Sequence, residues 1–379
     1  MDVRQAVSLS PDSATLEALA DIKPNLVFVF SSVGVMRDGV FVDVLTKTFP
    51  GAALLGCSTA GEIAGERVRD GSTVVTAVRW DKVRQRVATA KVVDMSGSAD
   101  AGREIGTKLA GDGLRAVLVL GPGLGINGSA LIEGIVEKIG PNIPVSGGLA
   151  GDGGAFVETL TLSPEGVSAS GVVALGLYGP DVKIGHGCFG GWLPFGPARK
   201  VTRSDGNVLY ELDGQPALTL YKEYLGEYAK DLPASGLLFP FEMMREDHST
   251  LGLIRTILAV DEQTGSLVLA GDIDPDGYLR LMHANTEGLV DGAEAAARQV
   301  GETLGGKADS GLGLLVSCVG RKLVMGDAVE DEVEAVASTL GRNVTLTGFY
   351  SYGEIAPFSS NVDCKLHNQT MTVTFLGEN

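Results

Sequence analysis

The sequence predicts an α/β or α+β protein with two related domains and large packed sheets. Apolar strands alternate with amphipathic helices along the whole chain, which is typical of this fold class. The 53 glycines lie singly at predicted strand ends and turns, as in a fold with many close backbone approaches. One segment also recurs, so we predict a duplicated strand–helix–strand–strand unit.

The recurring segment is a buried strand that ends in Gly-Glu. Residues 54–63 return near the C-terminus as residues 346–355, with two glycines and the glutamate at the same offsets. A weaker third version, residues 144–152, carries Gly151-Asp152 in place of Gly-Glu, and chance similarity is the alternative explanation for it. A buried strand and a helix precede each version.

The N-terminal half is predicted to hold four helices, each with an apolar face at helical spacing. Residues 73–80 and 86–93 are predicted to be adjacent strands. Residues 158–162 are predicted to form a hairpin with residues 172–177. The predicted helices cover residues 12–20, 41–48, 101–110 and 127–139, the last one capped by Asn127.

The character of the chain changes around Pro194 and Pro197, where we predict the boundary between domains of residues 1–195 and 196–379. Beyond it, two hairpins are predicted. They pair residues 199–203 with 208–211 and residues 254–260 with 266–270. Three helices are also predicted there: one opened by Pro216, one capped by Asn285 or Thr286, and one over residues 331–340.

Charge and composition exclude several classes of function. Thirty basic and 47 acidic side chains give a formal charge of −17, which repels phosphate backbones and anionic membranes. The four cysteines form no CxxC pair, so zinc or iron–sulfur ligation and structural disulfides are not predicted. The chain shows no signal-peptide pattern and no apolar run long enough to cross a bilayer. We therefore expect a reduced, soluble, cytoplasmic protein that does not insert into membranes.

Seven short segments, spread over nearly the whole chain, carry a family resemblance. They are residues 56–62 (GCSTAGE), 147–152 (GGLAGD), 221–226 (YKEYLG), 271–272 (GD), 318–321 (CVGR), 348–358 and 366–370 (LHNQT). In this order they resemble the FIST family (F-box and intracellular signal transduction), with an N-terminal domain followed by a C-terminal domain.

The resemblance implies an intracellular sensory module for small ligands such as amino acids or similar metabolites. Some bacterial members of the family are haem proteins that respond to nitric oxide and control a histidine kinase. Eukaryotic relatives join the module to an F-box. This sequence shows no F-box, kinase or cyclase pattern, so we expect its output to pass through a separate signalling partner.

Carboxylates at the strand ends are the first candidate ligand contacts. Glu62 and Glu354 could accept hydrogen bonds from a ligand amine, or each could cap backbone N–H groups in a tight turn. Their repetition favours a shared pocket between the two halves, with Asp152 in an analogous place. The other predicted ligand-binding residues are Gly56, Cys57, Ser58, Gly147, Gly148, Arg245, Cys318, Arg321 and Tyr350.

The two predicted arginines could each pair with a ligand carboxylate. A structural salt bridge is an equal alternative for Arg321 and Arg245. Cys57 and Cys318 lie at strand ends without a nearby base in sequence, so they are interpreted as packing residues rather than nucleophiles.

A haem would need an axial ligand, and His367 and His283 are the candidates among four histidines. A structural role is the alternative for each, and the chain lacks a CxxCH motif and a metal-ligand spacing. No resident cofactor is therefore predicted, with haem as the alternative.

An amide hydrolase built from repeats is the second alternative. Ser32, Ser58 and Ser351 lie at strand ends, but no lysine that could activate them is adjacent in sequence. We therefore predict a non-enzymatic sensor that binds a small polar metabolite in a cleft between its halves.

Overall fold

The computed structural model describes residues 1–9, 13–306, 310–358 and 362–379. These residues form three copies of one unit, with a β-rich domain inserted into the third copy. Each unit runs strand, helix, strand, helical segment, strand, two-stranded hairpin, strand. The predicted four-element repeat therefore covers the later part of a longer unit, without its first strand, its first helix and its hairpin, and the third, weaker copy is a real repeat.

Units 1 and 2 occupy the first half of the chain. Unit 1 consists of β1 (Asp2–Ser8), α1 (Ser13–Ala20), β2 (Leu26–Ser31), α2 (Val33–Arg37), α3 (Gly39–Thr48), β3 (Ala53–Ser58), β4 (Glu62–Ala64), β5 (Arg67–Arg69) and β6 (Thr73–Arg79). Unit 2 consists of β7 (Arg84–Lys91), α4 (Ser98–Leu109), β8 (Leu114–Gly121), α5 (Gly128–Ile139), β9 (Val145–Leu149), β10 (Thr161–Ser163), β11 (Gly166–Ser168) and β12 (Gly171–Tyr178).

Unit 3 is interrupted after its first strand, β13 (Val182–Phe189). The inserted domain consists of β14 (Leu193–Pro194), β15 (Arg199–Asp205), β16 (Val208–Leu212), β17 (Gln215–Pro216), α6 (Ala217–Leu225), β18 (Phe241–Met244), β19 (Thr250–Arg255), β20 (Ile257–Asp261), β21 (Ser266–Leu269) and β22 (Tyr278–His283). Unit 3 then resumes with α7 (Thr286–Leu304), β23 (Gly311–Cys318), α8 (Val319–Met325), α9 (Glu330–Leu340), β24 (Val344–Ser351), β25 (Gly353–Pro357), β26 (Cys364–His367) and β27 (Met371–Glu378).

The three units are interlocked by their hairpins. Each unit builds a sheet of four of its own strands, in the order β1-β6-β2-β3 for unit 1. Hairpin β10–β11 of unit 2 completes that sheet, β25–β26 of unit 3 completes the sheet of unit 2, and β4–β5 of unit 1 completes the sheet of unit 3. The exchange forms a closed cycle. A division at residue 195 therefore cuts through unit 3, because β13 pairs with β27 along its full length.

One core lies between the three sheets. Alternate residues of the first inner strand of each unit point into it, with Phe28 and Phe30 from β2 joined by Leu118 and Leu120 from β8. The residues that alternate with them on the same strands point the other way and pack against the outer helices. These strands are buried on both faces, which explains why they are continuously apolar in sequence.

A glycine brings the two inner parallel strands of each unit together. Gly56 lies opposite Val29, Gly147 opposite Val119, and Gly348 opposite Leu315. A Cβ at any of the three would overlap the carbonyl oxygen of the opposite residue. The recurrence of glycine at this pairing position therefore has a steric cause.

The inserted domain is an antiparallel sheet that carries α6 on its own apolar core. Two of its residues, Ile254 and Met282, pack in the core of unit 3 instead. Arg255 Nη1 donates to the carbonyl of Leu366 (3.3 Å), and Gln369 Nε2 donates to the carbonyl of Leu237 (2.9 Å). Segment 366–370 of unit 3 is thus in direct contact with the inserted domain.

The predicted fold class is confirmed, because helices alternate with large mixed sheets. The hairpin of residues 199–203 with 208–211 is present as β15–β16, and β20–β21 forms the core of the other C-terminal hairpin. Two predicted pairings are wrong. β6 and β7 lie in different sheets, and β10 pairs with β3 and β11 instead of β12. A new unit begins between β6 and β7, and hairpin exchange separates β10 from β12.

Candidate ligand-binding site

The strand ends singled out in the sequence meet at one place, the three-way junction of the units. Backbone hydrogen bonds join the three units there in a closed ring. The bonds run from Ala60 N to Tyr350 O (2.8 Å), from Gly151 N to Ser58 O (2.8 Å) and from Tyr352 N to Leu149 O (3.2 Å). Gly56, Cys57, Ser58, Gly147, Gly148 and Tyr350 all lie at or next to this junction, and all are buried.

The two repeated glutamates bond within their own units. Glu62 is 1% exposed and accepts hydrogen bonds from Thr59 Oγ1 (2.5 Å) and from the N and Oγ of Ser72 (2.9 and 2.8 Å). Glu354 is fully buried and is held in the same way by Ser351 and Thr370. Burial raises the pKa of Glu62 and raises that of Glu354 to about 8. This is the turn-capping alternative, and ligand contact by either residue stays a prediction.

Asp152 caps a turn as well. It accepts from the backbone N of Phe156, Val157 and Glu158 at 2.7–2.9 Å and from the hydroxyl of Tyr352. Burial acts to raise the pKa of Asp152, but the hydrogen bonds from Tyr352 and the three amides lower it overall. The carboxylate joins unit 2 to unit 3 at the junction.

Glu354→Gln is expected to flatten the pH dependence of stability between about pH 5 and pH 8. With a folded pKa near 8 and an ordinary value of 4.5, the native state keeps a proton in this window that the unfolded chain has released. The contribution of Glu354 to the free energy of unfolding should therefore fall as pH rises, and the variant should lack this contribution. Urea denaturation at pH 5, 6.5 and 8 measures it. The exposed control Glu227→Gln should keep the wild-type slope, and an unchanged slope in Glu354→Gln would contradict the assignment.

The predicted arginines do not meet these carboxylates. Arg321 is fully buried and donates Nε and Nη2 to Glu332 at 3.0 and 2.6 Å, so the salt-bridge alternative describes it. Arg245 lies in an exposed turn of the inserted domain and bonds to Ser249 and the Thr250 carbonyl. Cys57 and Cys318 are buried, and burial raises the pKa of both thiols.

A cavity of about 300 Å³ lies between unit 3 and the inserted domain. It offers open space to a ligand, and both domains contribute to its wall. We call it the interdomain cavity. Its lining side chains are Cys188, Phe189, Trp192, Gln299, Phe358, His367 and Thr370 from unit 3 and its linker, and Glu242, Ile254 and Met282 from the inserted domain.

The interdomain cavity reaches the junction through Thr370. The hydroxyl and amide of Thr370 hold Glu354, and the Cys188 thiol hydrogen-bonds to Thr370. His367, which the sequence singled out, lines the cavity. Glu242, Trp192 and Cys188 were missed, since no local pattern marks them. Phe358 and Thr370 were inside family segments and could have been found there.

A larger hollow of about 510 Å³ is an open groove between β7, α4 and the β10–β11 hairpin. Three of its charged groups are already engaged, since Lys108 Nζ contacts Glu104 at 2.6 Å and Thr89 donates to Glu165 at 2.6 Å. The interdomain cavity is the better candidate because the family segments 348–358 and 366–370 reach it.

The residues present do not fit a haem. His367 Nε2 lies 3.1 Å from the carbonyl oxygen of Ala356, and its ring stacks on Phe358 at 5.7 Å. A volume of about 300 Å³ is at the lower limit for small-ligand pockets. His283 packs edge-on against Phe195 and is not among the residues that line the cavity.

Among the described residues, no group of three or more His, Cys, Asp or Glu side chains could hold a metal ion.

Two of the three serines of the hydrolase alternative are engaged internally. Ser58 Oγ donates to the carbonyl of Gly151 at 2.7 Å, and Ser351 Oγ donates to Glu354 at 2.6 Å. Lys322, which approaches the junction, bonds instead to the Ala60 carbonyl and Asp70.

Among the described residues, no helix is both long enough and apolar enough to span a membrane.

Two family profiles match the chain. The FIST N domain covers residues 25–215 and the FIST C domain covers residues 217–357. An uncharacterised protein of Methanocaldococcus jannaschii is 27% identical over 206 residues, which are 50% of this chain and 38% of that protein. An uncharacterised protein of Mycobacterium tuberculosis is 25% identical over 240 residues, 60% of each. The chain thus spans less than two thirds of the length of these curated relatives.

A solved structure also aligns with the whole chain. Cyanuric acid hydrolase from A. caulinodans covers 100% of this chain and 99% of its own, at 10% identity and a TM-score of 0.40. Similarity at this identity and TM-score supports no conclusion about activity.

Proposed function

Because the FIST N and FIST C profiles together match most of its length, the chain belongs to the FIST family, and we propose that it senses a small polar metabolite in its interdomain cavity. FIST domains are sensory domains of signal transduction that bind small ligands and are not catalytic. The proposal adds the place of binding and the size of the ligand, which is comparable to an amino acid.

One observation carries the proposal. The interdomain cavity is walled by two domains that touch at few points, so a ligand in it contacts both. Ligand binding would favour the arrangement in which Glu242 and Met282 face His367 and Thr370, which shifts the population of domain orientations. A separate partner such as a histidine kinase would then respond to the altered surface.

The proposed mechanism requires no cofactor. The chain's own residues form the cavity, and His367 is neutral at pH 7 because burial lowers its pKa to about 4. A Soret band in the purified protein, lost in His367→Ala, would support the haem alternative instead.

Cys188→Leu is expected to abolish ligand binding by filling the interdomain cavity. A thermal-shift screen of amino acids and similar metabolites should identify compounds that raise the unfolding temperature of the wild type. The same compounds should leave Cys188→Leu unchanged, because the larger side chain occupies their space.

The control is Ala259→Leu, which adds a leucine at an exposed strand position of the inserted domain. This variant should respond to ligand like the wild type. A ligand response that survives in Cys188→Leu would place the binding site elsewhere and overturn the proposal.

A further inference from the structure

The interdomain cavity combines aromatic rings with one carboxylate. Phe189, Trp192 and Phe358 line it together with Glu242. Among the described residues that line it, no lysine or arginine contributes a side chain. An anionic ligand would therefore meet a carboxylate and ring faces, which carry negative partial charge.

Glu242 has room for one more donor. It is 9% exposed, and its Oε2 accepts from Nε and Nη2 of Arg280 at 3.0 and 2.6 Å. Its Oε1 accepts only from Thr250 Oγ1 at 2.6 Å, among the hydrogen bonds of the described residues. A carboxylate offers about four acceptor sites, so Oε1 can take a further hydrogen bond from a ligand.

The rings suit a cation. The indole N–H of Trp192 is already used, since it donates to the carbonyl of Gln369 at 2.7 Å. Trp192 can therefore offer a ligand only its ring, and the face of a tryptophan ring is the strongest cation–π partner among side chains. His367 beside it is neutral at pH 7, because burial lowers its pKa, so it adds no positive charge to repel a cation.

We propose that the interdomain cavity selects an organic ammonium ion, whose charged group lies among the three rings and donates to Oε1 of Glu242. The inference rests on the proposed function and narrows its ligand class to amines. It assigns Glu242, instead of Glu62 or Glu354, as the contact for the amine. A ligand carboxylate, where one exists, would have to point out of the cavity.

The test compares two probes of equal size and opposite charge, n-butylammonium and butyrate, by isothermal titration calorimetry and ligand-observed NMR. The wild type should bind n-butylammonium at least about tenfold more tightly than butyrate. Glu242→Gln should weaken n-butylammonium binding by about tenfold or more, since a hydrogen bond to a charged group is lost.

Two further variants keep the result interpretable. Glu211→Gln removes a carboxylate that pairs with Arg203 at 3.2 Å in the same domain, away from the cavity, and should bind like the wild type. Phe189→Leu removes a ring that is 45% exposed and so is tolerated by the fold. It should weaken binding by roughly two- to fivefold.

The outcomes separate this inference from the proposed function. Equal or tighter binding of butyrate, or no loss in Glu242→Gln and Phe189→Leu, would overturn the ammonium assignment. If metabolites without an amine bind and Cys188→Leu abolishes their binding, the proposed function is supported and the ammonium inference fails. If Cys188→Leu binds n-butylammonium like the wild type, both fail.

Discussion

Gly348→Ala is expected to lower the free energy of unfolding by about 3 kcal/mol, at the upper end of overpacking effects. A Cβ at this position would overlap the carbonyl oxygen of Leu315 on the neighbouring parallel strand. Backbone atoms in the middle of a six-stranded sheet cannot move aside without breaking ladder hydrogen bonds. Gly56→Ala and Gly147→Ala should have effects of similar size, because the same contact recurs in units 1 and 2.

The matched control is Gly39→Ala at the start of α3, where a Cβ would meet nothing within 4 Å. Alanine is a better helix former than glycine, so this variant should be neutral or slightly stabilising. Urea denaturation of the four variants measures the differences. If Gly348→Ala unfolds at the wild-type midpoint, the backbones of β23 and β24 leave room for a Cβ at position 348, and the prediction is wrong.

The recurrence of these glycines is also the part of the fold that the sequence predicts best. Three strands that meet a neighbouring backbone need glycine at the point of contact, so the constraint is visible as Gly56, Gly147 and Gly348. The hairpin exchange is not visible in this way. Whether β4–β5 pairs with the sheet of its own unit or another depends on packing between distant segments, and both choices fit the same alternating pattern.

The site is predicted less well than the fold, for a related reason. A buried strand end followed by glutamate is a local signal, so Glu62 and Glu354 could be found. Thr59 and Ser351 are local donors, three residues before each glutamate. The hydrogen bonds from Ser72 and Thr370 could not be predicted, since these residues lie ten and sixteen residues further along the chain. The interdomain cavity is harder still, because its wall combines residues near positions 190, 242, 282 and 367, which only the folded chain brings together.

Arg321→Met is expected to lower the free energy of unfolding by about 3–5 kcal/mol, the usual cost of removing one member of a buried ion pair. The guanidinium is 0% exposed and also donates to the carbonyls of Leu289 and Gly190. Its loss leaves the Glu332 carboxylate buried, and among the described residues only the hydroxyls of Ser317 and Tyr350 remain as donors. Urea denaturation at neutral pH measures the effect.

Arg67→Met is the matched control, since Arg67 pairs with Glu330 at 2.6 Å, the same distance as Arg321 with Glu332. Arg67 is 61% exposed, so water replaces the lost interaction and the unfolding midpoint should hardly change. The double variant Arg321→Met/Glu332→Gln removes both charges and should be more stable than the sum of the two single changes implies. Equal midpoint shifts in Arg321→Met and Arg67→Met would show that Arg321 is open to solvent, and its predicted role in binding a ligand carboxylate would then regain support.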